Sequence, residues 1–168
     1  MRTKEQSMAP LFVDEAIDIN ADAMTVWKVL TSPGTTAQWV NTGWAQHLDG
    51  PAGPIASDWR PGSPVEWRNH DGQPYVTGNV TAVEPGRLLR FTVFPVEGER
   101  PPADETDGIT FTLTERMGRT HLAVRQGDFA KVPDGENYHW MSVEVWARVL
   151  PKIKELAEKA GAAAYAAG

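Results

Sequence analysis

The chain of 168 residues contains no cysteine, which excludes a disulfide scaffold, a thiolate metal site and a cysteine nucleophile. Positive charge is also scarce. Against 22 Asp and Glu stand 16 Lys and Arg, a formal charge of −6, and no Lys/Arg run reaches five. A nucleic-acid groove or an anionic membrane surface is a poor match for that balance. No apolar stretch approaches the roughly 18 residues that a spanning helix needs. Residues 1–10 carry charges with no apolar run behind them, so they read as a disordered or extended N-terminus and not as a signal peptide. The expectation left by these absences is a soluble, cytoplasmic domain.

Catalytic signatures are missing as well. The histidines are His47, His70, His121 and His139, and no two fall at ligand spacing. Without cysteine a metal would need distant carboxylates, so neither a metal nor a cofactor is expected. There is no Gly-x-Ser-x-Gly, and Gly50-Pro51-Ala52-Gly53 lacks the Lys-Ser/Thr of a phosphate loop and leads into no helix. Among ionisable groups, Glu15 falls with Val13 and Ile17 on the apolar face of a predicted strand, and His139 stands near the start of the last predicted helix. They are the two cheapest candidates for acid–base work, and each also has a plain surface explanation.

What is present is a globular composition, 41% hydrophobic and 23% charged, with 15 Gly and 13 Pro that predict many turns. Seven tryptophans are many for one domain: Trp27, Trp39, Trp44, Trp59, Trp67, Trp140 and Trp146. Such surfaces either fill a large core or line an apolar pocket.

Periodicity orders the elements. Leu11 to Asn20 alternates as a half-buried strand. Asp22 caps a helix carrying Val26, Trp27, Val29 and Leu30. Ser32-Pro33 starts a short second helix ending near Trp39. Asn41 to Pro64 reads as a long irregular connection, with at most a short strand near Trp59. A meander follows: strands over 64–68, 75–83, 88–94, 109–115 and 120–126. Turns at Asp71-Gly72, Glu84-Pro85-Gly86-Arg87 and Met117-Gly118 link them, and a loop runs from Val96 to Asp107. A closing helix over 137–159 presents Trp140, Val143, Trp146, Ala147, Leu150, Ile153 and Leu156 as an apolar stripe. Pro151 either kinks it or begins a second segment. Gly161 reads as a helix stop, making 11–160 one domain and 161–168 a frayed tail.

The residues carry a resemblance. Ile19-Asn20-Ala21-Asp22-Ala23-Met24-Thr25-Val26-Trp27-Lys28-Val29-Leu30-Thr31 resembles the opening of the START-like (SRPBCC) superfamily. It is more closely similar to the bacterial activator-of-Hsp90-ATPase-homologue 1-like branch. The likeness continues through Trp39, Pro61-Gly62-Ser63-Pro64-Val65-Glu66-Trp67, Gly78-Asn79-Val80 with Glu84-Pro85, and Leu89-Arg90-Phe91-Thr92. It ends at Trp146, Leu150, Ile153, Lys154 and Leu156.

The resemblance implies an α+β helix-grip fold, a curved antiparallel sheet wrapped around a long C-terminal helix with two short helices after the first strand. It also implies a cavity between sheet and helix for a small hydrophobic or aromatic ligand. Trp39, Trp67, Phe91, Phe111, Trp140 and His139 are the candidate ligand-binding residues. The apolar ones alternate onto inward faces or sit on the covering helix. The alternatives are a polyketide cyclase or aromatase-like enzyme using the same cavity, and a module that binds an Hsp90-type chaperone. An acidic chain without an apolar surface stripe argues against the chaperone partner. Homodimerisation is left open.

Overall fold

The computed structural model describes residues 9–48, 50–96 and 107–167. Most of the expected N-terminal segment, most of the Val96–Asp107 loop and Gly168 lie outside the described residues.

Strand β1 (Val13–Ile19) buries Val13 and Ile19 and leaves Asp14 and Asp18 exposed, as alternation requires. Asp22 accepts the Thr25 N–H at 2.8 Å and so caps α1 (Ala23–Thr31), which buries Val26, Trp27, Val29 and Leu30. Ser32 then precedes α2 (Pro33–Trp44), with proline in the first turn where its missing N–H costs nothing.

Helix α2 runs one and a half turns past the expected stop at Trp39, because Asn41, Thr42 and Gly43 continue it under a half-buried Trp44. Strand β2 (Ala52–Ala56) comes next. The predicted irregular stretch is therefore partly ordered, and its strand lies before Trp59, not at it. Two side chains of α2 hold β2 in place. Thr36 Oγ1 accepts the Ile55 N–H at 3.0 Å, and Asn41 Oδ1 accepts the Ala52 N–H at 3.1 Å.

The remaining strands are β3 (Pro64–Asn69), β4 (Pro74–Glu84), β5 (Leu88–Phe91), β6 (Phe94–Pro95), β7 (Gly108–Arg116) and β8 (Arg119–Gly127). The main path is β1-β8-β7-β5-β4-β3-β2, antiparallel throughout, with β6 folding back onto β4. The predicted strand over 88–94 breaks after Phe91. There the Thr92 carbonyl comes so close to Gly78 that a Cβ at position 78 would overlap it. Three hairpin turns fall where Gly72, Gly86 and Gly118 take positive φ.

Helix α3 (Gly135–Ala167) closes the curled sheet as one element. Pro151 lies inside it on an exposed side, so no second segment begins there. Gly161 does not stop it, since the alanine-rich sequence around that glycine favours helix. Its buried stripe is Val145, Trp146, Val149, Leu150, Ile153 and Ala157, whereas Ala147 and Trp140 are exposed. Among the described residues no helix is long and apolar enough to cross a membrane.

Candidate functional site

Four of the six residues expected around a ligand come together between the sheet and α3. Trp39 on α2 meets Trp67 of β3 edge-on at 6.3 Å and Phe111 of β7 at 6.2 Å, and Phe91 of β5 lies 6.4 Å from Phe111. All four are buried. Trp146 of α3 completes the layer, 5.7 Å from Phe111 and 6.4 Å from Trp39. Trp44 stands perpendicular to both Trp67 (5.0 Å) and Trp146 (5.4 Å). Most of these rings meet in the near-perpendicular geometry aromatic pairs prefer, while Trp39–Trp146 and Phe91–Phe111 are tilted at 36° and 45°.

The other two residues sit elsewhere. Trp140 is 64% exposed. The face of α3 that covers the sheet carries Trp146, six residues along the helix and rotated well away from Trp140, so the expected covering by Trp140 is corrected. His139 pairs its Nε2 with the Phe12 carbonyl at 3.0 Å and meets Phe129 edge-on at 5.8 Å. It anchors the segment before β1. Glu15 pairs across the sheet with Val124 but is exposed, because β1 is an edge strand. Of the remaining histidines, His121 Nδ1 lies 2.8 Å from Asp18 in the open, and His70 Nδ1 lies 3.2 Å from the Pro51 carbonyl. Among the described residues no three His, Asp or Glu side chains converge to hold a metal.

Hydrogen bonding singles out two side chains of the β3–β4 pair. Three indole N–H groups are matched: Trp39 to the Val29 carbonyl at 3.0 Å, Trp59 to the Thr31 carbonyl at 3.0 Å, and Trp146 to Gln126 Oε1 at 2.8 Å. Among the described residues the Trp67 N–H, on a side chain only 3% exposed, has no partner, and neither does the buried Tyr75 hydroxyl. Among the described residues no other buried side-chain polar atom is in that condition. Native interiors rarely leave such groups unmatched.

The two are neighbours by register. Trp67 pairs with Val76 and Arg68 with Pro74, so Tyr75 is the extra residue of a bulge. A bulge re-aims a side chain that strict alternation would send to the other face, and Tyr75 packs against the core. Burial pushes its hydroxyl pKa up to about 12, so at neutral pH it is a proton-bearing donor. Sequence reasoning missed Tyr75 because alternation turns it outward, and it placed Trp44 in a loop.

Two further depressions lie outside this layer. One, of about 630 Å³, is bounded by Met24, Gly86, Leu88 and Leu113; the other, of about 530 Å³, by Glu15, Arg90, Thr110 and Arg125. Both are shallow surface features, and the aromatic layer lines neither.

Comparison with known proteins places these features in a family context. The family model described as "Activator of Hsp90 ATPase homolog 1-like protein" matches residues 20–158. No curated protein matches the chain. Solved structures with the same fold include a crystallised protein of Mesorhizobium loti, with a TM-score of 0.64, 21% identity, and 88% of this chain and 97% of that one covered. A second is the solution structure of the Aha1 dimer from Colwellia psychrerythraea, with a TM-score of 0.62, 18% identity, and coverage of 88% and 96%. A third is an AHSA1-like protein of Aeromonas hydrophila, with a TM-score of 0.55, 18% identity, and coverage of 89% and 94%. At these identities the likeness speaks to the fold.

Proposed function

The chain belongs to the activator of Hsp90 ATPase homolog 1-like family, and from that membership we propose that it binds a small hydrophobic or aromatic molecule between the sheet and α3. The binding position we assign is the side of the layer where Trp44 and Trp67 meet edge-on at 5.0 Å. The observation that carries this reading is the buried, unmatched N–H of Trp67 set in an aromatic wall. Binding pockets are built in that way, from apolar surface with a few convergent polar groups. Trp44 is half-buried where Trp39 and Trp146 are fully buried, so entry proceeds by displacing its ring and exchanging its contacts for those of the ligand. Trp39, Phe91, Phe111 and Trp146 are the fixed floor against which the ligand rests.

The test is native mass spectrometry of freshly purified protein, followed by titration with methyl naphthyl ketone while intrinsic tryptophan fluorescence is read. The expected result is a stoichiometric adduct, or a saturable fluorescence change that Trp44→Ala alters. A bare protein mass together with no saturable response would overturn the reading.

A further inference from the structure

β1 ends the strand order, so one side of its backbone faces no strand. Alternate residues of an antiparallel strand turn their N–H and C=O groups to the same side. In β1 the even-numbered residues turn away from β8, as the reach of α3 shows. His139 Nε2 lies 3.0 Å from the Phe12 carbonyl, Lys154 Nζ donates to the Asp18 carbonyl at 3.1 Å, and Glu158 Oε2 accepts the Asn20 N–H at 2.9 Å. These three side chains close the edge at its two ends. Between them lie Asp14 and Ala16, whose N–H and C=O groups point outward and are bonded by none of the described residues. Both residues are exposed. The depression of about 530 Å³ beside Arg90 and Arg125 reaches the edge at Asp14, Glu15 and Ala16, so the uncapped stretch opens onto free space. An unpaired edge of this kind is a template for another strand.

Charge selects the occupant. Asp14 and Asp18 have cationic neighbours on β8, Arg125 at 3.5 Å and His121 at 2.8 Å. Glu15, between the two open residues, is exposed, and no cation pairs with it among the described residues. A second copy using all four open groups in an antiparallel, symmetric pairing would be centred on Glu15 and set Glu15 against Glu15. Like charges directly opposite disfavour such a pair, and opposite charges favour it. The whole chain, at −6, adds to the same preference.

We propose that the edge at Asp14–Ala16 is a docking site for an extended, basic segment of another protein. The segment joins the sheet as a strand beside β1, with Lys or Arg opposite Glu15. Hydrogen bonds to the N–H and C=O groups of Asp14 and Ala16 hold it. Its paired length is about five residues, because α3 already occupies the Phe12 and Asp18 carbonyls.

Two end-capped pentapeptides test this, Thr-Val-Lys-Val-Thr and Thr-Val-Glu-Val-Thr. Each is titrated into the isotope-labelled full-length protein while the amide shifts and hydrogen exchange of residues 14 and 16 are followed by nuclear magnetic resonance. Two variants are compared, with circular dichroism confirming their folding. Glu15→Lys inverts the charge at the centre of the edge. Ala16→Pro removes one outward N–H and leaves the β8 ladder intact, a position where a strand tolerates proline. The lysine peptide should move both amides, slow their exchange and bind about fivefold more tightly than the glutamate peptide. Glu15→Lys should reverse that order, and Ala16→Pro should weaken both peptides. The proposal is overturned if neither amide responds, if the order is the same in the parent and Glu15→Lys, or if Ala16→Pro binds as the parent does. A concentration-dependent dimer that protects these two amides without peptide would assign the edge to a second copy and overturn it equally. The ligand site at Trp44 and Trp67 stands or falls separately.

Discussion

Tyr75 is the residue whose environment departs furthest from what its sequence neighbourhood suggests. A strand beginning at Pro74 and read by alternation turns Tyr75 outward. The slip between Trp67 and Arg68 brings it in, and nothing in a single sequence marks which residue of a strand will bulge. Trp67, Phe91 and Phe111 were legible as inward residues because each keeps the alternation of its strand. Trp140 was not, since a stripe of nearly 100° leaves its edge residues undecided. The buried phenol has a consequence for stability. Its pKa is raised from 10.0 to about 12 in the fold, so the folded state holds the proton where the unfolded chain has released it. The stabilisation is present in full below pH 10 and is lost as pH rises through 12. A shift of that size corresponds to on the order of 2 kcal/mol. Tyr75→Phe should therefore melt within about 1 kcal/mol of the parent at neutral pH, because the hydroxyl makes no protein hydrogen bond to lose. It should then lose less stability in the alkaline range. Melting curves across the alkaline limb check this, and superimposable limbs for the two proteins would refute it.

Elements were easier to read than their ends. The cap at Asp22, the Ser32-Pro33 start and the glycine turns are local signals, and each lies where local chemistry placed it. The end of α2 was not local. It depends on Gly43, which faces α3 so closely that an added Cβ would overlap Val149 and come within 2.9 Å of Val145 Cγ1. The glycine lets two helices approach, and it directly precedes Trp44 at the mouth of the candidate site. Ordinarily Gly→Ala inside a helix gains about 1 kcal/mol. Here overpacking, worth roughly 1–3 kcal/mol, opposes that gain. Gly43→Val, which is larger and β-branched, should lower stability by about 2 kcal/mol or more in urea unfolding and also weaken ligand binding by tilting Trp44. Unchanged stability would show that α3 yields easily at Val145 and Val149. Arg148 crosses the same junction, donating from Nη2 to the Gly43 carbonyl at 3.1 Å, and this tie holds the two helices at that separation.

On the scale of the whole molecule, the first strand and its flanks are fastened to the C-terminal part of the fold. β1 pairs along its length with β8, Leu11 donates to Asp128 Oδ1 at 2.8 Å, and the Asn20 N–H donates to Glu158 Oε2 near the other end of α3. The curled sheet cannot open at its β1 edge without breaking these ties, and its β2 edge is held by Thr36 and Asn41 of α2. The architecture itself was readable because the order of elements and the turn residues restrict a helix-grip sheet to few arrangements. The packed state of its interior was not, because whether facing rings leave room depends on ångström-level separations that periodicity does not carry. Under the proposed function such an interior would bind by exchange of contacts, and the free energy gained would have to exceed the cost of moving Trp44. Ligand binding to the folded state alone then raises stability by about 2.7 kcal/mol when the ligand is a hundredfold above its Kd. For a domain of this size that is a rise of roughly 5–10 °C in Tm. Methyl naphthyl ketone should produce it in the parent protein, with a smaller rise in Trp67→Phe at the same concentration, as differential scanning calorimetry would record. A rise of equal size in both proteins would mean that the ketone binds away from Trp67, in one of the shallow outer grooves beside Met24 or Arg90.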